Sequence, residues 1–475
     1  VARLPTRRRG ASSEDACCVD HKFNIIITFN EAQRLYGDSA NDAPKAMPQG
    51  AKMTIEHTPT IDFDHHSAQV AQDPVGSYAQ LRAQCPAFWT ESHGGYWVFT
   101  RYDVAAEILN DDARFSSARR ADAGGDGSAV SIPKRPAVPQ YPIELDPPET
   151  APFRRILNPL LSPAACERLR PSIQRRVSWM IDRFIERGEC DLVANLVGPV
   201  PSSVTVDWLG LPHDGWHRMG ETMHNIIARA PGDPAWIKAS SDLVELYDVM
   251  RQTIKARRAD PQSDVISYIV KQEINGGPIT DDDALSVVAL LIAGGVGTTA
   301  SLSAQSLVWL SEHRDSHERL LNDPRFLRVA TEEFLRYFAP VQALARTTRG
   351  DTQFAGCPMK DGDRLLIAFA SANRDAEAFE KPDELLLDRF PNRHMSFGVG
   401  AHRCAGSNLA RIIFQEVIQC VLRRLPDYRV DTGALVPFPS QGLNSGWQSV
   451  PAVFTPGQPL GIDSPADTFA LVGAK

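Results

Sequence analysis

The chain has 475 residues, 43% hydrophobic and 23% charged, the balance of a globular protein with a well-buried core. Its 58 acidic and 50 basic residues leave a net charge of −8, which gives no sign of a nucleic-acid partner, and no apolar run is read as reaching the roughly 20 residues that cross a bilayer. Eight cysteines, at 17, 18, 85, 166, 190, 357, 404 and 420, form no C-x-x-C pair and no regular spacing; this argues against a zinc ribbon, an iron–sulfur module or a disulfide scaffold, and for a reducing cytoplasm.

Residues 1–52 differ from the rest: RLPTRRRG, then CC, then a Ser/Asn/Asp/Pro-rich run ending MPQGAK. They read as a flexible extension, because no adequate apolar segment with a cleavage site follows the arginines. A native start at Met47 or Met53, one domain over 53–460 and a tail over 461–475 are the expected organisation. DFDHH (62–66) has the composition of a metal site but no helical or strand spacing to bring its side chains together. YWVF (96–99) predicts a strand and 103–110 a helix. The Gly/Pro/Ser-rich run 116–145 predicts a long loop, and loops that long are commonly functional, so it is a candidate lid. Helical patterns then cover about 152–187, 202–258 with interruptions, 264–275, 281–314, 325–338 and 405–424, with strand-like pieces such as RLLIAF (364–369) between them. The fold class is mainly α with a small β part.

The segment 281–314 would span about 50 Å as one helix. Thr280 is placed to cap it, and Asp281, Asp282 and Asp283 suit its positive end. Gly294, Gly295 and Gly297 interrupt its middle at a cost of about 1 kcal/mol each against alanine. Either close helix packing or a local opening toward a ligand must offset that cost.

Farther along, FGVGAHRCAGSNLAR (397–411) places one cysteine among glycines. Gly398 and Gly400 allow backbone conformations closed to other residues. Leu409, Ile412, Ile413, Val417, Cys420 and Val421 recur at helical spacing, so Cys404 sits just before a helix N-terminus, where the dipole favours thiolate, the metal-binding form. Any metal there needs its other ligands from a cofactor. GVGAHR fails as a dinucleotide fingerprint because Arg403 replaces the third glycine. Glu333 and Arg336 are three apart on a helix and can meet, with Arg389 able to join them.

In their order, AGGVGTT, EEFLR, ANRD, RFPNRHMSFG and FGVGAHRCAG resemble the motifs of the cytochrome P-450 family of haem-thiolate monooxygenases in its soluble bacterial form, over about residues 60–455. The resemblance implies a long central helix over haem b and a cysteine loop beneath it, with Cys404 as the iron ligand. By the same resemblance Phe397, Gly398, Gly406 and Ala293 border the cofactor; Arg154, Arg346 and His402 hold its propionates; and Glu333, Arg336 and Arg389 form a buried structural triad. Thr298 is the alcohol that assists dioxygen activation. Two positions depart from the family: Thr150 stands where a propionate-binding histidine is frequent, and Gly297 stands where an Asp or Glu relays protons.

The implied activity is insertion of one oxygen atom from O2 into an apolar small substrate, by hydroxylation or epoxidation. Electrons are expected from a separate ferredoxin or flavodoxin and its NAD(P)H-dependent reductase, since no flavin or iron–sulfur domain follows residue 425. Arg403, Arg411, Arg423 and Arg424 are the expected docking cations. Substrate contacts are expected from the 116–145 loop, the 213–240 region, Ala289, Ala293, Val341, Leu344 and Leu443. A peroxide-driven oxygenase or a nitric oxide reductase would dispense with the acid missing at 297; a non-catalytic haem-thiolate sensor or carrier is the remaining alternative.

Overall fold

The computed structural model describes residues 60–123 and 126–464. The expected extension 1–52 with its start sites at Met47 and Met53, and residues 465–475 of the expected tail, lie outside the described residues.

The principal sheet has five strands: β1 (Ala87–Thr90), β2 (Tyr96–Phe99), β3 (Phe115–Ser116), β4 (Leu344–Thr348) and β5 (Arg364–Ile367), in spatial order β1-β2-β5-β4-β3. The expected strand YWVF is β2. All four of its residues are buried, as a strand covered on both faces requires. RLLIAF contributes β5, which pairs parallel with β2 and antiparallel with β4, setting Leu365 opposite Arg346. This register places Arg346, a basic residue, inside the fold at 3% exposure.

The helical part is larger, and two of the helical patterns break where the sequence reading ran on. The pattern 152–187 divides into α1 (Thr150–Leu160) and α2 (Pro163–Asp182), because the Ser162 hydroxyl accepts from the Ala165 amide and Pro163 opens the new helix. The interrupted stretch 202–258 resolves into Pro199–Leu209, α3 (Trp216–Ala228) and α4 (Pro234–Ala259). The pattern 264–275 is helical only over Val265–Val270; a short hairpin follows, turning through Asn275 and Gly276, both at positive φ. Asn-Gly is a hairpin signal that the helical periodicity overrode.

The long segment becomes α5 (Asp281–Gly295) and α6 (Gly297–Glu312), parted at Val296. Thr280 caps α5 as expected, its hydroxyl accepting from the Asp283 amide at 3.0 Å. By length and apolarity Asp281–Glu312 does meet the requirements of a membrane span, contrary to the sequence reading, but 61% of its most apolar stretch is buried inside the fold. It is the central helix of the core. Two further helices complete the frame of the cavity: α7 (Pro324–Phe338) and α8 (Ser407–Arg424).

Among its described residues, loop 116–145 carries no helix or strand beyond Ser116, as expected, yet it is not loose. The fully buried Glu144 carboxylate accepts from Arg119 and from the amides of Ala129 and Gln140. Arg364 on β5 donates to the carbonyls of Ala129 and Ser131.

Candidate active site

The loop before α8 is built by its glycines. Gly398 and Gly400 lie at φ 63° and 71°, and a side chain at Gly400 would meet the Leu109 carbonyl at 2.6 Å. The Cys404 amide closes the loop by donating to the Phe397 carbonyl at 2.8 Å. Cys404 keeps exposed surface and borders a cavity, which Phe397, Gly398 and Gly406 also border. No heavy atom lies within 4 Å of where a Gly406 side chain would begin.

Burial pushes the Cys404 thiol up, opposed by the Gly406 N–H and by Arg154, Arg403 and Arg411. The expected thiolate bias is therefore reversed in the protein alone, because a dry surrounding outweighs the helix end. A metal ion on the sulfur supplies the missing opposite charge, since a coordinating thiol is deprotonated outright.

Around this floor stand three basic side chains with unsatisfied nitrogens. Arg154 Nε, Arg346 Nε and both ring nitrogens of His402 are buried and have no hydrogen-bond partner. The nearest carboxylate oxygen to His402, on Asp112, is 3.5 Å away. Burial holds His402 down at about 4 and Arg346 down at about 10, so the arginine keeps its charge and the imidazole does not. Thr150 is buried and does not border the cavity, so it adds nothing to the set. Orphaned donors of this kind are costly unless an anion completes them. A flat apolar group bearing carboxylates, its metal on Cys404, fits the donors present.

The roof is the α5–α6 break. Gly294 faces open cavity; Gly297, by contrast, faces α3, where a side chain would come 2.2 Å from Ile227 Cδ1. Both readings of the glycines hold, each at a different residue. The Thr298 hydroxyl donates to the Gly294 carbonyl at 2.7 Å and borders the cavity. Ala289, Ala293, Val341, Leu344 and Leu443 all line it, as expected, and the lining is chiefly apolar around about 360 Å³.

Residues 233–432 match the family model for cytochrome P450. The chain is 31% identical to the steroid C26-monooxygenase of Mycobacterium tuberculosis over 86% of its own length and 100% of that protein. The chain belongs to the cytochrome P450 family.

This P450 is also 29% identical to linalool 8-monooxygenase of Pseudomonas putida, over 78% of the chain and 93% of that enzyme. Among solved structures, the P450 PksS of the Bacillus subtilis bacillaene polyketide synthase superposes with a TM-score of 0.73 at 26% identity, covering 82% of this chain and 99% of that one. The P450 fold is thereby confirmed, with haem as the family's cofactor and monooxygenation as its activity. A non-catalytic sensor or carrier is set aside.

The residues read as the P450 triad do meet. Arg336 donates from Nε and a terminal nitrogen to the two Glu333 oxygens at 2.8 Å, and Arg389 Nε donates to Glu333 Oε2 at 3.0 Å. Asn392 and the Leu386 amide complete the carboxylate, while Arg336 also reaches the carbonyls of Asn373, Pro382 and Glu384. Every charge is satisfied, so the cluster is an architectural joint.

The four arginines expected to dock a redox partner differ in their surroundings. Arg411 is engaged by both oxygens of Glu332 at 2.6 Å, and Arg424 pairs with Asp182 at 2.7 Å. Only Arg403 and Arg423 of the four stay exposed. The DFDHH segment also departs from expectation, since its side chains do converge: Asp64, His65 and His93 bring ligand atoms within 4.8 Å of one another. His65 bridges Tyr96 Oη and the Ile132 carbonyl, and His66 bridges Ser440 Oγ and that same carbonyl. Sequence reasoning missed His93, which joins across a turn, and Arg135, a cavity-lining cation within IPKRP.

Proposed function

We propose that this P450 inserts one oxygen atom from O2 into an apolar small organic substrate, by hydroxylation or epoxidation, using haem b held on Cys404. The supporting observation is that Cys404, three basic side chains with unsatisfied nitrogens and the Thr298 hydroxyl border one chiefly apolar cavity. The relatives named for steroid and linalool oxidation support a lipid-like substrate of terpenoid character. Residues 53–460 act as one catalytic domain, and a reducing cytoplasm suits a site whose function rests on a free thiol.

Haem bound at Cys404 supplies the activation of dioxygen. The chain's residues do the rest. Arg154, Arg346 and His402 orient the cofactor by donating to its carboxylates. The Gly406 N–H and the N-terminus of α8 temper the charge on sulfur. Ala289, Ala293, Val341, Leu344 and Leu443 exclude water and hold the substrate by apolar contact. Thr298 keeps its proton on the Gly294 carbonyl, leaving its lone pairs toward the cavity, where an ordered water can donate. With glycine at 297, protons reach this hydroxyl through water and not from a neighbouring carboxylate.

Electrons come from a ferredoxin or flavodoxin reduced by an NAD(P)H-dependent partner, docking at Arg403 and Arg423. A peroxide-driven reaction is the second reading, favoured by Ile227 occupying the space where an acid at 297 would project. One experiment separates them: product formed from a substrate that shifts the ferric Soret band, with NADPH, reductase and ferredoxin against hydrogen peroxide alone. Turnover confined to the peroxide arm would overturn the first reading. A preparation whose carbon monoxide spectrum is unchanged by Cys404→Ala would overturn both.

A further inference from the structure

We propose that the cavity is a receptor for an apolar acid, with Arg135 as the residue that binds the substrate's carboxylate. This rests on the monooxygenase reading and names the substrate class for the same site. Arg135 lies on the loop 126–145, borders the cavity and is 7% exposed. One terminal nitrogen, Nη1, donates to the Ile226 carbonyl near the end of α3 at 2.9 Å, which fixes the guanidinium. Its other edge, Nε and Nη2, is buried with no partner. That edge carries two parallel N–H donors at the spacing a carboxylate accepts bidentately.

No carboxylate offsets Arg135 among the described residues. Burial brings it down to about 10, which leaves it cationic at neutral pH. It is distinct from the basic side chains of the cavity floor. Arg346 and His402 are influenced by Asp146, Asp112 or Arg154, and Arg135 figures in neither environment. Besides Arg154, Arg346 and His402, the other cavity-lining residues with unsatisfied buried polar atoms are Trp236, whose Nε1 is a donor, and Ser131, whose Oγ can donate. Unpaired donors in an otherwise apolar enclosure select an anionic head on a hydrocarbon body. A neutral terpene or sterol would leave the guanidinium unpaired, which is among the costliest arrangements a binding site can keep.

The test uses the full-length holoenzyme and matched probes: hexadecanoic acid with its methyl ester, and lithocholic acid with its methyl ester, titrated calorimetrically. At least one acid is expected to bind about tenfold or more tightly than its ester, the range of a charge-assisted hydrogen bond. Arg135→Gln is expected to abolish that preference by weakening the acid with no loss of ester affinity, and Arg135→Lys to retain part of it. Equal affinities within both pairs, absence of binding by either acid, or a preference that survives Arg135→Gln would overturn the proposal. The carbon monoxide difference spectrum of the same preparations reports the haem-thiolate centre separately, so loss of acid selectivity with that spectrum intact counts against Arg135 alone.

Discussion

Gly297 shows how a single missing side chain is compensated. The Ile227 terminus fills the volume where an acid would project, so Gly297→Asp alone overpacks the α3–α6 contact. It is expected to lower the thermal midpoint with no gain in product per NAD(P)H. Gly297→Asp combined with Ile227→Ala is expected to recover stability and raise that yield, measured as product against NAD(P)H consumed. Glu333 makes the opposite case, because its removal strands two arginines, one of them fully buried. Glu333→Ala is expected to cost about 3–5 kcal/mol in unfolding experiments and to lower haem content in proportion. Arg403→Glu is expected to slow reduction by ferredoxin with little change in stability. Arg411→Glu would instead destabilise, by setting its carboxylate against Glu332. At this scale the placing of Cys404 and Thr298 on one cavity and the meeting of the triad were legible from motif order. Ile227 was not, since nothing in a helix's own spacing tells which neighbour faces a given glycine.

Among the elements, periodicity located the helices and missed where they break. Ser162-Pro163 is a cap-and-first-turn signal that the continuous apolar pattern obscured, and Asn275-Gly276 was overridden in the same way. The break at Val296 was foreseen only as one of two meanings of three glycines, and both proved necessary. The loop 116–145 was legible in length and not in fastening, because Glu144 acts on amides fifteen and four residues away only once the chain is folded. Glu144→Gln weakens the acceptor for Arg119 and for the amides of Ala129 and Gln140. Faster hydrogen exchange across 126–145 and faster ligand dissociation are expected, with the helices around α8 unchanged.

Across the whole molecule, the histidines near the start of the described chain link parts that lie far apart in sequence. His66 reaches Ser440 across 374 positions, and His65 and His66 share the Ile132 carbonyl on the cavity loop. Burial lowers both imidazoles, His66 to about 4, from an ordinary value of 6.5. Between those values the unfolded chain binds more protons than the folded one. The contribution is thus complete above about pH 6.5 and lost as pH falls toward 4, by roughly 3 kcal/mol for His66. Asp64, held down at about 2, keeps its own contribution throughout that window. Thermal midpoints measured from pH 7 to 4.5 should fall, and His66→Gln should flatten the decline. This knot was illegible beforehand, because a run of acids and histidines carries no record of the turn that delivers His93.

The shared carbonyl of Ile132 has one more outcome. Two imidazoles clasp the backbone only three residues before Arg135, so the turn beside the sheet and the wall of the cavity are tied together at a single oxygen atom.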